Sequence, residues 1–375
     1  MFFSDIIGQD EIKQKLRASL KSVRIPHAQM FSGPKGSGNL PMAIAYAQYI
    51  SCTGNKDEDS CGQCQSCQKF SKLIHPDLHF SYPVNITNKI SKEPTSDDFI
   101  TEWREFVLSN PYFDSNSWYN YIGIENKQGL ISKNESDLIL RKLYLRPFES
   151  EYKFMIIWLP EKMNHSAANH LLKLIEEPAL NTILLLVSDE PDQVLLTISS
   201  RAQPVRLSRI DAGSMAQVLE KKFNVPHTDV INIIRLANGN FIKALEILNT
   251  AGNNDIHYEK FVSIMRYCWS RDYLEVNRWV EEMAGLGRER LLSFFEYASR
   301  MVRENFLSNT GNSELIYLTE SEKEFSRKFH PYINGRNIMK LYTEINKVIA
   351  DIERNGYIKI ILFDFSLQII KSIRK

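Results

Sequence analysis

Residues 33–40, with the sequence GPKGSGNL, have the glycine spacing of a phosphate-binding loop. A working loop reads G-x-x-x-x-G-K-[ST]: its backbone N–H groups surround phosphates, its lysine neutralises their charge and its hydroxyl holds Mg²⁺. Here Asn39 stands at the lysine position and Leu40 at the hydroxyl position. Asparagine carries no positive charge, and leucine cannot ligate a hard cation. We therefore expect Gly33, Gly36, Gly38 and Asn39 to form a degenerate phosphate loop that does not support ATP hydrolysis.

A second part of the expected ATPase chemistry is also missing. The apolar run 154–159, FMIIWL, predicts a buried parallel strand. In an active P-loop ATPase the end of this strand carries acidic residues that hold Mg²⁺ and orient the attacking water. Trp158 and Leu159 occupy those places, and Glu161 comes later, where a solvated turn residue is the simpler interpretation.

Four of the five cysteines lie close together with the spacing C-x8-C-x2-C-x2-C. They are Cys52, Cys61, Cys64 and Cys67. Four soft ligands at this spacing predict a structural Zn²⁺ site without an open coordination position. Reduced thiols without metal, or a redox pair, are the alternatives. His75 is a possible substitute ligand but is more simply a loop residue, and Cys268 is more simply a buried apolar group.

Composition predicts a soluble chain with several domains. The 375 residues are 43% hydrophobic and carry a formal net charge of +1, which suggests two or three domains. A near-neutral charge argues against a strongly basic nucleic-acid-binding protein, so we expect any DNA contact to be shared with partners. No apolar run reaches the ~18 residues that span a bilayer, and the amino terminus lacks a secretory apolar segment. The expected location is cytoplasmic, without membrane contact.

Strands and helices alternate around these motifs. Residues 28–31 predict a strand, the loop follows, and 42–47 predict the helix that a phosphate loop requires. Helical periodicity covers residues 6–22, and Asn164 is expected to cap a further helix that ends at Glu176. Residues 182–187 and 205–207 predict further strands. This order implies a parallel α/β sheet with right-handed crossovers.

Residues 80–150 lack sustained periodicity. They predict either an insertion packed on the cysteine module or a mobile excursion. We expect regular structure to resume near Ile131, with a helix over 136–143 capped by Ser136 or Asp137.

Taken together, these features resemble the delta-prime subunits of bacterial DNA polymerase III clamp loaders, a family of AAA+ proteins. The resemblance covers roughly residues 1–250. It rests on the cysteine cluster and on Ile7-Gly8-Gln9, His27-Ala28, Lys162-Met163-Asn164, Ala167-Ala168-Asn169, Leu171-Leu172-Lys173, Glu176-Glu177-Pro178 and Thr197-Ile198-x-Ser200-Arg201. The ATPase subunits gamma and tau carry a similar zinc cluster but need the lysine and hydroxyl, so the altered loop favours delta-prime.

The resemblance implies an AAA+ RecA-like domain over 1–210, with a zinc module at about 52–67 and an insertion at about 80–150. A helical lid over 211–252 and an all-α collar domain over 253–375 would follow. It also implies a non-hydrolysing subunit of the polymerase assembly that works with delta and gamma/tau subunits to load the sliding clamp onto primer-template DNA.

The family's Ser-Arg-Cys motif supplies an arginine finger to ATP on a neighbouring subunit. This chain has Ser200-Arg201-Ala202, so the resemblance implies that Arg201 acts in trans, with Ser200 as its motif neighbour. A surface salt bridge or a helix cap is the structural alternative for Arg201. Lys243 replaces the arginine of the second sensor segment. Two other functions stay open: an active ATPase of the same superfamily, and a zinc-containing nucleic-acid-binding module without ring partners.

Overall fold

Five short strands form one parallel sheet, and the apolar runs supply its centre. The strands are β1 Ala28–Ser32, β2 Leu78–Ser81, β3 Lys153–Trp158, β4 Thr182–Ser188 and β5 Gln203–Arg206. Their order is β2-β3-β4-β1-β5, and every neighbouring pair is parallel. All residues of β1, β3 and β4 are buried, as expected for a sheet covered on both faces. The predicted parallel α/β fold is confirmed.

This computed structural model describes residues 1–21, 25–54, 58–87, 90, 92–124, 127–250, 254–309, 318–354 and 356–373. The chain divides into two compact units, Met1–Glu246 and Ile247–Lys375. The predicted boundary between lid and collar, at 252/253, lies outside the described residues. The division into three domains stays a prediction.

The first unit contains the sheet and ten described helices, and an eleventh helix begins in it and continues past Glu246. They are α1 Asp10–Lys21, α2 Asn39–Ser51, α3 Gln65–Ser71, α4 Ile100–Ser109, α5 Ser115–Tyr121, α6 Lys133–Tyr144, α7 His165–Glu176, α8 Leu196–Ser199, α9 Ala212–Phe223, α10 His227–Ala237 and α11 Phe241–Thr250. Short 3₁₀ helices cover Phe3–Asp5, Ser96–Phe99, Pro160–Lys162 and Pro191–Gln193.

Alternating side chains of the strands build two cores, one on each face of the sheet. Phe31 and Ile156 belong to the core that includes α2, whereas Met30 and Met155 belong to the core that includes α6 and α7. The loop-bearing strand β1 therefore lies between two packed layers, which hold its carboxyl end in place.

Residues 80–150 are more regular than expected. They contain the end of β2 and the helices α4, α5 and α6. Aromatic packing between distant residues holds them: the Tyr82 ring stacks on Trp103 with centroids 4.0 Å apart, and Trp118 meets Trp103 edge-on at 5.1 Å. Contacts of this kind join residues far apart in the chain and leave no local periodicity, so α4 and α5 were not predicted.

Several predicted element ends also differ from the structure. Helix α6 begins at Lys133, and its cap is Ser132, whose hydroxyl accepts the Glu135 N–H at 3.3 Å; Ser136 and Asp137 lie inside the helix. Helix α1 begins only at Asp10, because Gly8 and Gln9 adopt left-handed backbone angles. The predicted cap of α7 is confirmed, since the Asn164 side chain accepts the Ala167 N–H at 2.7 Å.

The second unit is helical, as predicted. Its described helices are α12 Asn254–Ser270, α13 Tyr273–Ala284, α14 Arg288–Ser308, α15 Glu320–Phe329, α16 Ile338–Glu353 and α17 Ile358–Ser372, with a 3₁₀ helix at His330–Tyr332. Phe261, Phe294 and Phe365 lie in its apolar core, together with Cys268. None of the helices that the structure describes, in either unit, is long and apolar enough to cross a bilayer.

Candidate functional site

The backbone of residues 33–38 makes a tight loop between β1 and α2. Gly36 and Gly38 have φ of 76° and 93°, a left-handed conformation that glycine adopts without strain. The Ser37 N–H donates to the Pro34 carbonyl at 3.1 Å, and Gly38 is the residue before α2 begins. The predicted succession of strand, glycine loop and helix is present.

The Asn39 side chain is turned into the loop and is only 4% exposed. Its amide nitrogen donates to the Gly33 carbonyl at 3.0 Å and to the Asp189 carboxylate at 2.9 Å, and its amide oxygen accepts the Ser37 hydroxyl at 3.0 Å. Asparagine can do this because its amide both donates and accepts. Asn39 therefore fastens the loop to the residue that follows β4.

Residues from outside the loop lie against its glycines. A Cβ atom at Gly36 would be 2.0 Å from the Asn240 side-chain oxygen, and the Phe241 N–H donates to the Gly36 carbonyl at 3.3 Å. A Cβ atom at Gly38 would be 3.1 Å from the Tyr112 hydroxyl. The Tyr112 and Phe241 rings meet with centroids 5.0 Å apart. The residues before α5 and the start of α11 thus pack against the loop.

Three hydrogen bonds connect the amino-terminal segment to the loop or to residues beside it. The Ile7 N–H donates to the Tyr112 hydroxyl at 2.9 Å. The Gln9 side chain donates to the Ser208 carbonyl at 2.6 Å and to the Ser37 carbonyl at 3.3 Å. The segment before α1 therefore braces the phosphate loop directly.

The acidic places at the end of β3 are taken by packing residues. Trp158 lies among aromatic rings, with the centroids of Trp103 at 5.3 Å and Phe113 at 5.0 Å. Leu159 is buried and has a left-handed backbone with φ of 57°. This turn directs the following 3₁₀ helix, and with it Glu161, back toward the end of β4.

Glu161 lies beside the end of β4, a position that the sequence interpretation did not predict. One of its carboxylate oxygens accepts the N–H groups of Asp189 and Glu190, each at 3.3 Å, and the other is buried with no hydrogen-bond partner among the described residues. Burial, assisted by the Asp189 charge, raises the pKa of Glu161 to about 7. Burial also raises the pKa of Asp189 to about 6, although the Asn39 hydrogen bond and Lys35 act in the opposite direction. The expectation of a solvated turn residue is wrong.

The four cysteines predicted as a metal site converge. Their sulfur atoms all lie within 4.8 Å of one another. Zn–S bonds of about 2.3 Å in a tetrahedron place sulfurs about 3.8 Å apart, so the cluster is within about 1 Å of that geometry. Three backbone N–H groups donate to sulfurs inside the cluster: Cys61 to Cys52 at 3.3 Å, Cys64 to Cys61 at 3.4 Å and Cys67 to Cys64 at 3.4 Å. These donors stabilise thiolates, so the residues fit a zinc ion.

The surroundings of the cluster attach it to the rest of the unit. The Asp59 carboxylate accepts the N–H groups of Phe3 at 3.1 Å and Ser4 at 2.9 Å. Cys52 directly follows α2, the helix that begins at the phosphate loop. His75 is a buried loop residue whose ring nitrogen accepts the Asp77 N–H at 3.1 Å. It is not one of the residues grouped in the cluster.

Arg201 lies at the other end of the sheet. It follows α8 and precedes the amino end of β5, whereas the phosphate loop follows the carboxyl end of the neighbouring parallel strand β1. At about 3.3 Å per residue, these strands separate the two ends by more than about 10 Å. The exposed Arg201 guanidinium forms an ion pair with Glu176 and donates to the Thr197 carbonyl at 2.9 Å and to the Ser200 hydroxyl at 3.5 Å. Arg201 is therefore not placed to reach the chain's own loop.

A glycine loop between the first strand of a parallel sheet and a buried helix defines the class of P-loop NTPase folds. The model of the family described as "DNA polymerase III, delta subunit" matches residues 8–211, and the chain belongs to this family. The relatives that follow are likewise named as subunits of DNA polymerase III.

Among its relatives, the chain is 25% identical over 240 residues to DNA polymerase III subunit delta' of Bacillus subtilis, a match that covers 64% of this chain and 59% of that protein. It is also 25% identical over 254 residues to subunit tau of the same organism, covering 66% of this chain and 37% of tau. The matches thus span less than two thirds of both relatives.

Two solved structures align along most of the chain with low TM-scores. A gamma subunit-related protein of Thermotoga maritima aligns with a TM-score of 0.40 and 13% identity, over 97% of this chain and 100% of that chain. The clamp loader delta protein of Bacillus subtilis aligns with a TM-score of 0.33 and 11% identity, over 96% of this chain and 99% of that chain.

Proposed function

We propose that this chain is a delta-prime-type subunit of the clamp loader that does not hydrolyse ATP itself. It works with delta and gamma/tau subunits to load the sliding clamp onto primed DNA, and Arg201 acts on ATP bound by a neighbouring subunit. The observation that carries the proposal concerns Asn39, which stands at the position of the phosphate-binding lysine. Its side-chain amide forms hydrogen bonds with Gly33, Ser37 and Asp189 of the same chain.

Sequence identity does not separate a delta-prime role from an ATPase role, because the delta' and tau relatives are equally similar at 25%. The site favours delta-prime. Leu40 offers no oxygen to Mg²⁺, Trp158 and Leu159 replace acidic residues, and Asn240 lies on Gly36. These features come from three separate segments, so no single substitution accounts for them.

The placement of Arg201 supports a role in trans. A guanidinium presents several donors to the developing charge of a phosphoryl group, and such a residue contributes about 10³–10⁵ in rate in related systems. Arg201 is exposed and lies away from the chain's own loop. A neighbouring subunit that docks on this end of the sheet would bring its bound ATP to the guanidinium.

The cysteine cluster completes the proposal as a structural zinc site. Zinc bound by Cys52, Cys61, Cys64 and Cys67 would have a full coordination shell and would hold the loop between α2 and α3 in one conformation.

The test is ATP hydrolysis by the complex reconstituted with its gamma/tau and delta partners, in the presence of clamp and primed DNA. Arg201→Ala is expected to lower turnover at least tenfold at equal assembly, checked by gel filtration. Arg206→Ala, which removes an exposed arginine at the opposite end of β5, is the matched control and should leave turnover within twofold. Unchanged turnover in the Arg201→Ala complex would refute the role in trans.

A second measurement tests the chain's own site. The isolated chain is expected to show no ATP hydrolysis above a buffer blank, because the groups that neutralise and polarise the phosphates are absent. Turnover that survives purification and disappears in a Gly36→Ala variant would instead establish an active ATPase.

A further inference from the structure

The ion pair between Arg201 and Glu176 engages the arginine that the proposed function assigns to a partner's ATP. Glu176 is the last residue of α7, and its carboxylate accepts from the Arg201 Nε group. The Nη1 group donates to the Thr197 carbonyl at 2.9 Å. Two donor groups of the guanidinium are thus already occupied within the chain.

Glu176 is an unusual choice for this place. A carboxylate at the carboxyl end of a helix is disfavoured by the helix dipole, which favours cations there. The Glu176 carboxylate therefore does not stabilise α7 through the helix dipole. The adjacent Glu177 is equally an exposed carboxylate, but no ion pair joins it to a described residue.

The carboxylate also lowers the effective charge of the guanidinium. An arginine neutralised by its own glutamate stabilises transition-state charge less well than a free one, because the two charges act in opposition at short range. A triphosphate carries more charge and more acceptor oxygens than one carboxylate, so it competes for the same donors when it is brought close.

We infer that Glu176 is a positioning residue that holds Arg201 in an ion pair until a nucleotide bound to the partner takes the place of the Glu176 carboxylate. The inference rests on the proposed role of Arg201 in trans. The Arg201 side chain is 38% exposed and the Glu176 side chain 46% exposed. An ion pair this exposed is weak, so a competing anion can break it. It sets the rate of ATP hydrolysis before stimulation and has little effect once the partner site is engaged.

The test compares Glu176→Gln with wild type in the reconstituted complex, with and without clamp and primed DNA. Glutamine keeps the size and the acceptor oxygen but removes the charge. From the strength of exposed ion pairs, unstimulated turnover is expected to rise roughly two- to fivefold, while stimulated turnover changes less than twofold. Glu177→Gln is the matched control and should change neither.

The salt dependence of turnover distinguishes this restraint from a purely structural role of Glu176. Screening weakens an exposed ion pair, so the excess turnover of the Glu176→Gln complex over wild type should shrink toward onefold as ionic strength rises. In the isolated chain, modification of Arg201 by phenylglyoxal, followed by peptide mass spectrometry, should be roughly two- to fivefold faster in Glu176→Gln.

The outcomes separate the two proposals. If Arg201→Ala lowers stimulated turnover but Glu176→Gln leaves unstimulated turnover unchanged or lower, the restraint is refuted and the role in trans stands. If Arg201→Ala leaves turnover unchanged, both fall. A faster modification of Arg201 with unchanged turnover would show a contact that does not control the reaction, and would also refute the inference.

Discussion

The amide nitrogen of Asn39 and the carboxylate of Asp189 lie 2.9 Å apart, although 150 positions separate the two residues in the chain. The bond joins the first turn of α2 to the residue after β4. In a working phosphate loop, a lysine at the position of Asn39 would point at phosphate oxygens. Here the same position makes an internal crosslink, so the loop is stabilised by the protein itself.

Asn39→Ala should therefore destabilise the first unit. The substitution removes the amide donor to the half-buried Asp189 carboxylate and the acceptor of the Ser37 hydroxyl. A loss of about 1–3 kcal/mol in the free energy of unfolding is expected. Urea denaturation followed by tryptophan fluorescence measures it. Lys243→Ala, at an exposed position, is the control, and equal stabilities of the two variants would contradict the crosslink.

The pKa of Glu161, raised to about 7, predicts a pH dependence of stability. The folded chain holds the Glu161 proton more tightly than the unfolded chain, whose pKa is near the ordinary 4.5. The free energy of unfolding should thus be highest below about pH 4.5, with respect to this group, and should fall as pH rises through about 7.

Glu161→Gln tests this dependence, since an amide resembles the protonated carboxyl and does not titrate. Its stability should decline less than that of wild type between pH 5 and pH 8, with a remaining decline from Asp189. Glu177→Gln serves as the exposed control. Parallel pH profiles of wild type and Glu161→Gln would show that this carboxyl is not the origin.

Gly36→Ala should disturb the contact between the loop and α11. The new Cβ atom would lie 2.0 Å from the Asn240 oxygen and 2.7 Å from the Phe241 nitrogen, at a residue whose φ is 76°. We expect a loss of about 1–3 kcal/mol and faster hydrogen exchange in residues 240–246. Gly335→Ala, where a Cβ atom meets nothing within 4 Å, is the matched control.

A double-mutant cycle separates the two sources of that cost. In an Asn240→Ala background the side-chain clash disappears, whereas the backbone strain at Gly36 stays. Gly36→Ala should then cost less than it does in wild type. Equal costs in both backgrounds would mean that Asn240 does not press on the loop.

Zinc content tests the cysteine cluster directly. Cys64→Ser removes one of four sulfurs and should lower bound zinc, measured by inductively coupled plasma mass spectrometry, from about one equivalent to well below half. Cys268→Ser alters a buried thiol of the second unit and should leave zinc unchanged. Zinc retained at wild-type levels by Cys64→Ser would refute the assignment of this ligand.

The parts of the fold that could be predicted are those that depend on neighbouring residues in the sequence. The apolar runs of β3 and β4 located both strands, and the Asn164 cap located the start of α7. Strand β2, with only the four residues LHFS, and the aromatic packing of Trp103 have no comparable local pattern. The convergence of the four cysteines followed from their spacing.

The candidate site was only partly predictable for a similar reason. Residue types at the loop positions showed what chemistry was missing, because the motif is contiguous. What replaces that chemistry involves residues far apart in sequence: Asp189 on Asn39, Tyr112 at Gly38 and Asn240 at Gly36. The position of Glu161 depended on the left-handed turn at Leu159, a conformation that the residue type does not suggest.

Asp59 accepts two hydrogen bonds, from the N–H groups of Phe3 and Ser4. Through these bonds the amino-terminal segment connects the cysteine module to the glycine loop. The cysteine module holds the first residues of the chain, and a few residues further on the same backbone reaches Tyr112 through Ile7 and the phosphate loop through Gln9. A disturbance at the sulfur atoms therefore has a short covalent route to the glycine loop. The cysteine module and the glycine loop are thus both connected to the same short amino-terminal segment.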